Sequence, residues 1–92
     1  MKATLIVRAK EIRDDSSVVE IVVWRIAEPL HPCTHIYKYR LYFGAGGQCR
    51  VRYDNEFGKG DHRHFNDVEA TYIFVSVNRL LADFQHDVET WS

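Results

Sequence analysis

Long apolar runs are missing from this sequence. Runs such as Leu5-Ile6-Val7 and Ile21-Val22-Val23-Trp24 are short, whereas a membrane-spanning helix needs about 20 apolar residues. A helical membrane protein is excluded. The opening Met1-Lys2-Ala3-Thr4-Leu5 has no apolar stretch of signal-peptide length, so a cytoplasmic location is expected. Cysteine is scarce: Cys33 and Cys49 are the only two, and they lack CxxC spacing. That excludes a thiol-rich metal knot, and in a reducing compartment it favours free thiols. Proline is confined to Pro29 and Pro32. No repeat, low-complexity tract or linker interrupts the chain.

What is present fits one small domain spanning residues 1–92. The 46% hydrophobic and 13% aromatic content supports a folded globule with a modest core. The net charge of −1 hides an asymmetry. Residues 1–34 are balanced, residues 35–64 carry a net +3 and residues 65–92 a net −4. The basic centre can attract phosphate-bearing ligands even though the whole chain cannot.

The first half reads as strands. Thr4 to Lys10 is β-branched and apolar, Asp14-Asp15-Ser16-Ser17 is a polar turn, and Val18 to Ile26 completes a hairpin. Val18 to Ile26 is apolar on both parities, which predicts a central strand buried on both faces. Pro29 and Pro32 then define a loop.

A second hairpin runs from Ile36 to Phe43 and from Cys49 to Tyr53. Side chains alternate between faces along each strand. A three-residue turn at Ala45-Gly46-Gly47 pairs Tyr42 with Arg50 and Arg40 with Arg52. That register gathers Lys38, Arg40, Tyr42, Arg50 and Arg52 on one face, opposite Tyr37, Tyr39, Leu41 and Phe43. A two-residue turn slips the register by one and buries the arginines, so the longer turn is preferred. Further on, Ala70 to Val75 reads as a short strand. Ser76 is placed to cap a helix whose apolar face is Val77, Leu80, Leu81, Phe84, Val88 and Trp91. The expected fold is α+β: an antiparallel sheet of four to five strands, made of two consecutive hairpins plus a short strand, packed by one C-terminal helix.

Between the second hairpin and the short strand lies Tyr53-Asp54-Asn55-Glu56-Phe57-Gly58-Lys59-Gly60-Asp61-His62-Arg63-His64. Its first residues, Tyr53 to Glu56, finish a strand, and the rest reads as a loop rich in chemistry. Gly58-Lys59-Gly60 lacks the G-x-x-x-x-G-K-S/T pattern of a phosphate loop, which excludes a nucleoside-triphosphatase of that type. Asp61-His62-Arg63-His64 is the stronger signal. In an extended backbone His62 and His64 project to one side and Arg63 to the other. Two imidazoles titrating near neutrality can serve as general base and general acid, and Asp61 can orient one of them. Lys59 and Arg63 can hold a phosphate, and Tyr42 or Tyr53 can stack on an unpaired base. A metal set drawn from Asp61, His62, His64 and Asp54 or His35 is the other chemical reading, weakened by the adjacent cations Lys59 and Arg63. His35 reads as structural, and His86 as an exposed helix residue.

His35-Ile36-Tyr37-Lys38-Tyr39-Arg40-Leu41, followed by Tyr53-Asp54-Asn55-Glu56 and Gly58-Lys59-Gly60-Asp61-His62-Arg63-His64, resembles the TumE-like toxins of bacterial and archaeal toxin–antitoxin modules. The tail from Phe74-Val75-Ser76-Val77 into Leu80-Leu81-Ala82-Asp83-Phe84 is similar to that family's closing helix, and so is the opening hairpin ending near Trp24 and Pro29. The resemblance implies a toxin partnered by an antitoxin with a helix-turn-helix DNA-binding domain. It carries Lys59, Asp61, His62, Arg63 and His64 over directly, with His35, Lys38 and Arg40 from the upstream motif.

Residues and resemblance together give a metal-independent ribonuclease that needs no cofactor. Its catalytic set is His62, His64, Lys59, Arg63 and Asp61. Lys38, Arg40, Tyr42, Arg50, Arg52 and Tyr53 bind the RNA substrate. The alternatives are a module that binds nucleic acid or antitoxin without chemistry, and a metal-dependent nuclease.

Overall fold

The computed structural model describes residues 2–91. Strands β1 (Ala3–Ile12), β2 (Val18–Ile26), β3 (Tyr37–Ala45), β4 (Gln48–Glu56), β5 (Gly60–Phe65) and β6 (Val68–Thr71) precede one helix, α1 (Val77–Thr90). All strands pair with their chain neighbours, antiparallel, in the order β1-β2-β3-β4-β5-β6. The α+β class and the C-terminal helix match expectation. The sheet has six strands rather than four or five.

The extra strand comes from the segment expected to be a loop. Asp61-His62-Arg63-His64 lies inside β5 and pairs on both sides, with β4 and with β6. Asn66 and Asp67 form the β5–β6 turn, with Asn66 at φ 54°, a conformation asparagine tolerates better than most residues. The strand expected over Ala70 to Val75 therefore starts earlier, at Val68, and ends at Thr71.

The second hairpin turns on two glycines, not three residues. Ala45 pairs with Gln48, and Gly46 and Gly47 both have positive φ, 59° and 77°, as a tight turn requires. The register then shifts between Phe43 and Gly44, and Tyr42 pairs with Arg52 and Arg40 with Asp54. A β-bulge at Arg50 absorbs the slip that a two-residue turn would otherwise impose. Arg52 stays on the face expected for it. Arg50 does not: its guanidinium lies 5.2 Å over the Phe43 ring and 4.2 Å over Trp91.

Helix α1 covers one face. Leu80, Phe84 and Val88 recur at helical spacing and pack on Val23, Tyr39, Leu41, Phe43, Val51 and Tyr53. Ser76 Oγ accepts from the Arg79 amide at 3.1 Å, the expected cap. The buried Asp87 carboxylate accepts from the Tyr53 hydroxyl at 2.5 Å and from Arg63 Nε at 2.6 Å, tying helix to sheet. At the helix end, Trp91 Nε1 donates to Asn66 Oδ1 at 2.6 Å.

Among the described residues no helix packs on the other face. This corrects the expectation for β2. Only Val23 is fully buried there, with Val19 and Ile21 packed beside it. Glu20, Val22 and Trp24 alternate onto the uncovered side, where their cross-strand partners are Tyr42, Arg40 and Lys38. Phe84 has no exposed surface, so Phe84→Ala should cost about 3–5 kcal/mol of unfolding free energy. Urea denaturation measures this, and a loss under about 1 kcal/mol would mean the helix is loosely docked.

Candidate functional site

The open face is built from two rows of cross-strand partners. Reading from β1 to β6, one row is Arg8, Val22, Arg40, Asp54, His62 and Thr71. The next is Lys10, Glu20, Tyr42, Arg52, His64 and Glu69. Neighbouring strands lie about 4.8 Å apart, so each row places charged side chains in contact range. Lys38 sits at the margin of this face and donates through Nζ to the Asn55 carbonyl.

Asp54 is the anchor. It is buried, as is His62. One Asp54 oxygen meets His62 Nε2 in an ion-pair contact, and the other lies 3.3 Å from Arg52 Nε. Burying a carboxylate is unfavourable unless partners compensate it, and the Arg52 guanidinium and the His62 imidazole stand beside this one. His62 Nδ1 lies 3.2 Å from the Gly60 carbonyl, and its Nε2 also lies 3.7 Å from Glu69. Glu69 in turn meets Lys59 Nζ at 3.7 Å. His64 differs from His62: its Nδ1 is buried and has no hydrogen-bond partner among the described residues. Beside these groups a groove of about 330 Å³ is lined by Lys59, Asp61, His62, Glu69, Ala70 and Thr71.

Arg40, Tyr42 and Arg52 therefore share the face expected of them, with Lys38 at its margin; His62 and His64, expected only to project to one side together, lie on that same face, with Lys59 at its rim. Four expected residues lie elsewhere. Arg63 alternates onto the helix side, bound to Asp87 and to the Tyr53 hydroxyl at 3.0 Å. Tyr53 is on the same side and almost wholly buried, so it cannot stack on a base. The bulge turns Arg50 there as well. Asp61 does not orient His62 or His64. Its Oδ1 accepts from the Tyr39 hydroxyl at 2.5 Å and faces His35 Nε2 at 2.8 Å. Asp54 and Glu69 take the place Asp61 was expected to fill. They face His62 because β5 is a strand, a pairing a loop reading does not supply.

His35, expected to be structural, completes a second cluster under the β2–β3 loop. Its Nδ1 accepts from the Tyr37 amide at 3.1 Å, and its ring stacks on Phe74 at 3.8 Å. Cys33 joins it: the Sγ, His35 and Asp61 ligand atoms lie within 4.8 Å of one another. These residue types suit a divalent metal. The hydrogen bonds do not, because the Tyr37 N–H fixes the neutral His35 proton on Nε2, the nitrogen a metal would need. Burial, then the neighbouring Asp61, push the Cys33 thiol up, and burial and Asp61 do the same to the Tyr39 phenol. Both remain protonated donors near neutral pH. Cys33 and Cys49 are free thiols. The expected alternative metal set is divided between two faces, with His62, His64 and Asp54 on one and Asp61 and His35 on the other.

A six-stranded meander with one capping helix and a charged open face defines a small α+β protein whose exposed site lies on strands. The chain belongs to the TumE toxin family: the model described as Toxin TumE matches residues 2–92. No curated protein and no solved structure matches it. The protein is thus the toxin component of a toxin–antitoxin pair, and the family implies a cognate antitoxin as partner. Among the described residues no helix is long and apolar enough to cross a membrane.

Asp54→Ala removes the carboxylate shared by Arg52 and His62. The expected cost is about 3 kcal/mol, at the low end for a broken buried pair because Arg52 reaches solvent. Urea unfolding of the two proteins tests it, and a difference below about 0.5 kcal/mol would assign these contacts no net weight.

Proposed function

We propose that this toxin cleaves RNA on the open sheet face without a metal ion. The observation that carries this reading is the placement of His62 and His64 on one face of β5, beside Arg52 and Lys59, with His64 Nδ1 unpartnered. Two positions along a strand separate the histidines by about 6.5 Å, enough for a phosphodiester to sit between them. His64 takes the proton of the 2′-hydroxyl. The 2′-oxygen attacks phosphorus, the bond to the 5′-oxygen breaks, and that oxygen takes a proton from His62 Nε2, reached past the exposed Glu69. Asp54 keeps the His62 ring in place. Arg52, Arg40 and Lys59 stabilise the extra negative charge on the phosphorane. Arg63 and Asp61 contribute through the fold and not by touching RNA.

The whole chain acts as one unit in the cytoplasm on this reading, held in check by an antitoxin with a helix-turn-helix DNA-binding domain. A second reading, binding without cleavage, draws support from His62, whose two ring nitrogens both face protein oxygens.

Purified toxin incubated with RNA in the presence of a chelator should produce fragments ending in a 2′,3′-cyclic phosphate, detectable by mass. His64→Ala and His62→Ala should each slow this by about 10²–10⁴-fold and relieve growth arrest. Arrest by both variants at the wild-type level would refute the mechanism. Salt-dependent binding with no cleaved product would favour the second reading, and loss of cleavage on chelation would favour a metal.

A further inference from the structure

On the open face, Trp24 and Tyr42 are two aromatic rings outside the packed core. Trp24 is half-buried and has no aromatic partner among the described residues, whereas the other tryptophan, Trp91, is packed edge-on to Phe43 and covered by Arg50. Nothing in the helix-side core requires an indole at position 24. Tyr42 lies back along its own strand: a Cβ at Gly44 would collide with the Tyr42 hydroxyl and Cζ. The missing side chain at Gly44 lets the phenol ring settle over the strand, and Arg40 stands 5.3 Å from its centre. Trp24 pairs with Lys38, and Tyr42 sits four positions further along β3, beside Arg52. Four residues span about 13 Å, and two strand spacings carry the same path about 10 Å further, from Tyr42 through Arg52 to His64.

We infer that Trp24 and Tyr42 are base-stacking stations of a single-stranded RNA track, with Lys38, Arg40 and Arg52 neutralising its phosphates and the track ending at His64. The inference rests on the ribonuclease reading and adds the substrate's form: an unpaired strand several nucleotides long. A duplex keeps its bases stacked on one another and offers no ring face to Trp24. Aromatic platforms flanked by cations are the common solution for unpaired strands, because every base has a π face.

Trp24 is also its own reporter. A uridine oligomer with 2′-O-methyl groups cannot be cut through its 2′-oxygen, so binding can be read apart from cleavage. In a Trp91→Phe protein the oligomer should quench the remaining fluorescence, and in a Trp24→Phe protein the Trp91 signal should not move. Trp24→Ala should weaken binding by about 5- to 150-fold with the salt slope unchanged, and Trp24→Phe should recover most of the loss. Arg40→Ala should instead lower the salt slope by about 0.7. Heparin, a polyanion without bases, should bind Trp24→Ala and wild type alike.

An oligomer that binds with Trp24 silent, or an equal loss for heparin, overturns the track and leaves the ribonuclease reading standing. Absence of any oligomer binding, together with intact RNA, overturns both and leaves the face to the antitoxin.

Discussion

The β3–β4 hairpin turns on Gly46 and Gly47, and its tightness would misplace every following side chain by one position. The bulge at Arg50 restores the alternation. The open-face side chains of β4 and β5 depend on that one extra residue. With it, Asp54 comes opposite Arg40, and β5 then sets His62 opposite Asp54 and His64 opposite Arg52. Without it, the alternation would turn Arg52 and Asp54 to the helix side, into the apolar core. The bulged residue is not idle: Arg50 closes the far end of the core by stacking on Trp91 and Phe43.

Strand alternation also divides the labour of β5. Asp61, Arg63 and Phe65 face the helix side, and His62 and His64 face outward. The inward set secures the fold: Asp61 binds Tyr39 and His35, and Arg63 binds Asp87 and Tyr53. These contacts involve charged groups and are among the stronger hydrogen bonds available. They fix the strand that presents the histidines, so the rigidity of the outward face comes from polar contacts on the inward one. A site on a paired strand is held more firmly than one on a loop.

Alternation was the most legible signal in the sequence. It correctly set the faces of β3 and the separation of Arg63 from its flanking histidines, and helical spacing with Ser76 set the closing helix. It failed at three places, each for a physical reason. The bulge at Arg50 leaves no local mark beyond a glycine-rich turn, so Arg50 was assigned to the wrong face. Gly58 and Gly60 read as loop residues because of their freedom, yet Gly58 makes the turn and Gly60 opens a strand. Losing β5 also lost the partners Asp54 and Glu69. Val18 to Ile26 reads as doubly buried because all its residues but Glu20 and Arg25 are apolar or aromatic. One helix cannot cover six strands on both sides, and that limit is visible only once the strands are counted.

The same face sets its own electrostatics. Arg52 lies against Asp54 and Lys59 against Glu69. These two cations already face carboxylates, so phosphate binding at either exchanges one anion for another. Asp54 cannot withdraw, because it is buried; Glu69 can, because it is exposed on the edge strand. The exchange is therefore easier at Lys59 than at Arg52. Arg40 makes no ion pair among the described residues and carries its full charge to an incoming strand. Counterion release then reflects Arg40 and Lys59 more than the total number of basic residues. On the proposed ribonuclease reading, a polyanion would meet the rim of the groove first, where Glu69 yields, and come to the buried Asp54–His62 pair with its phosphate already placed.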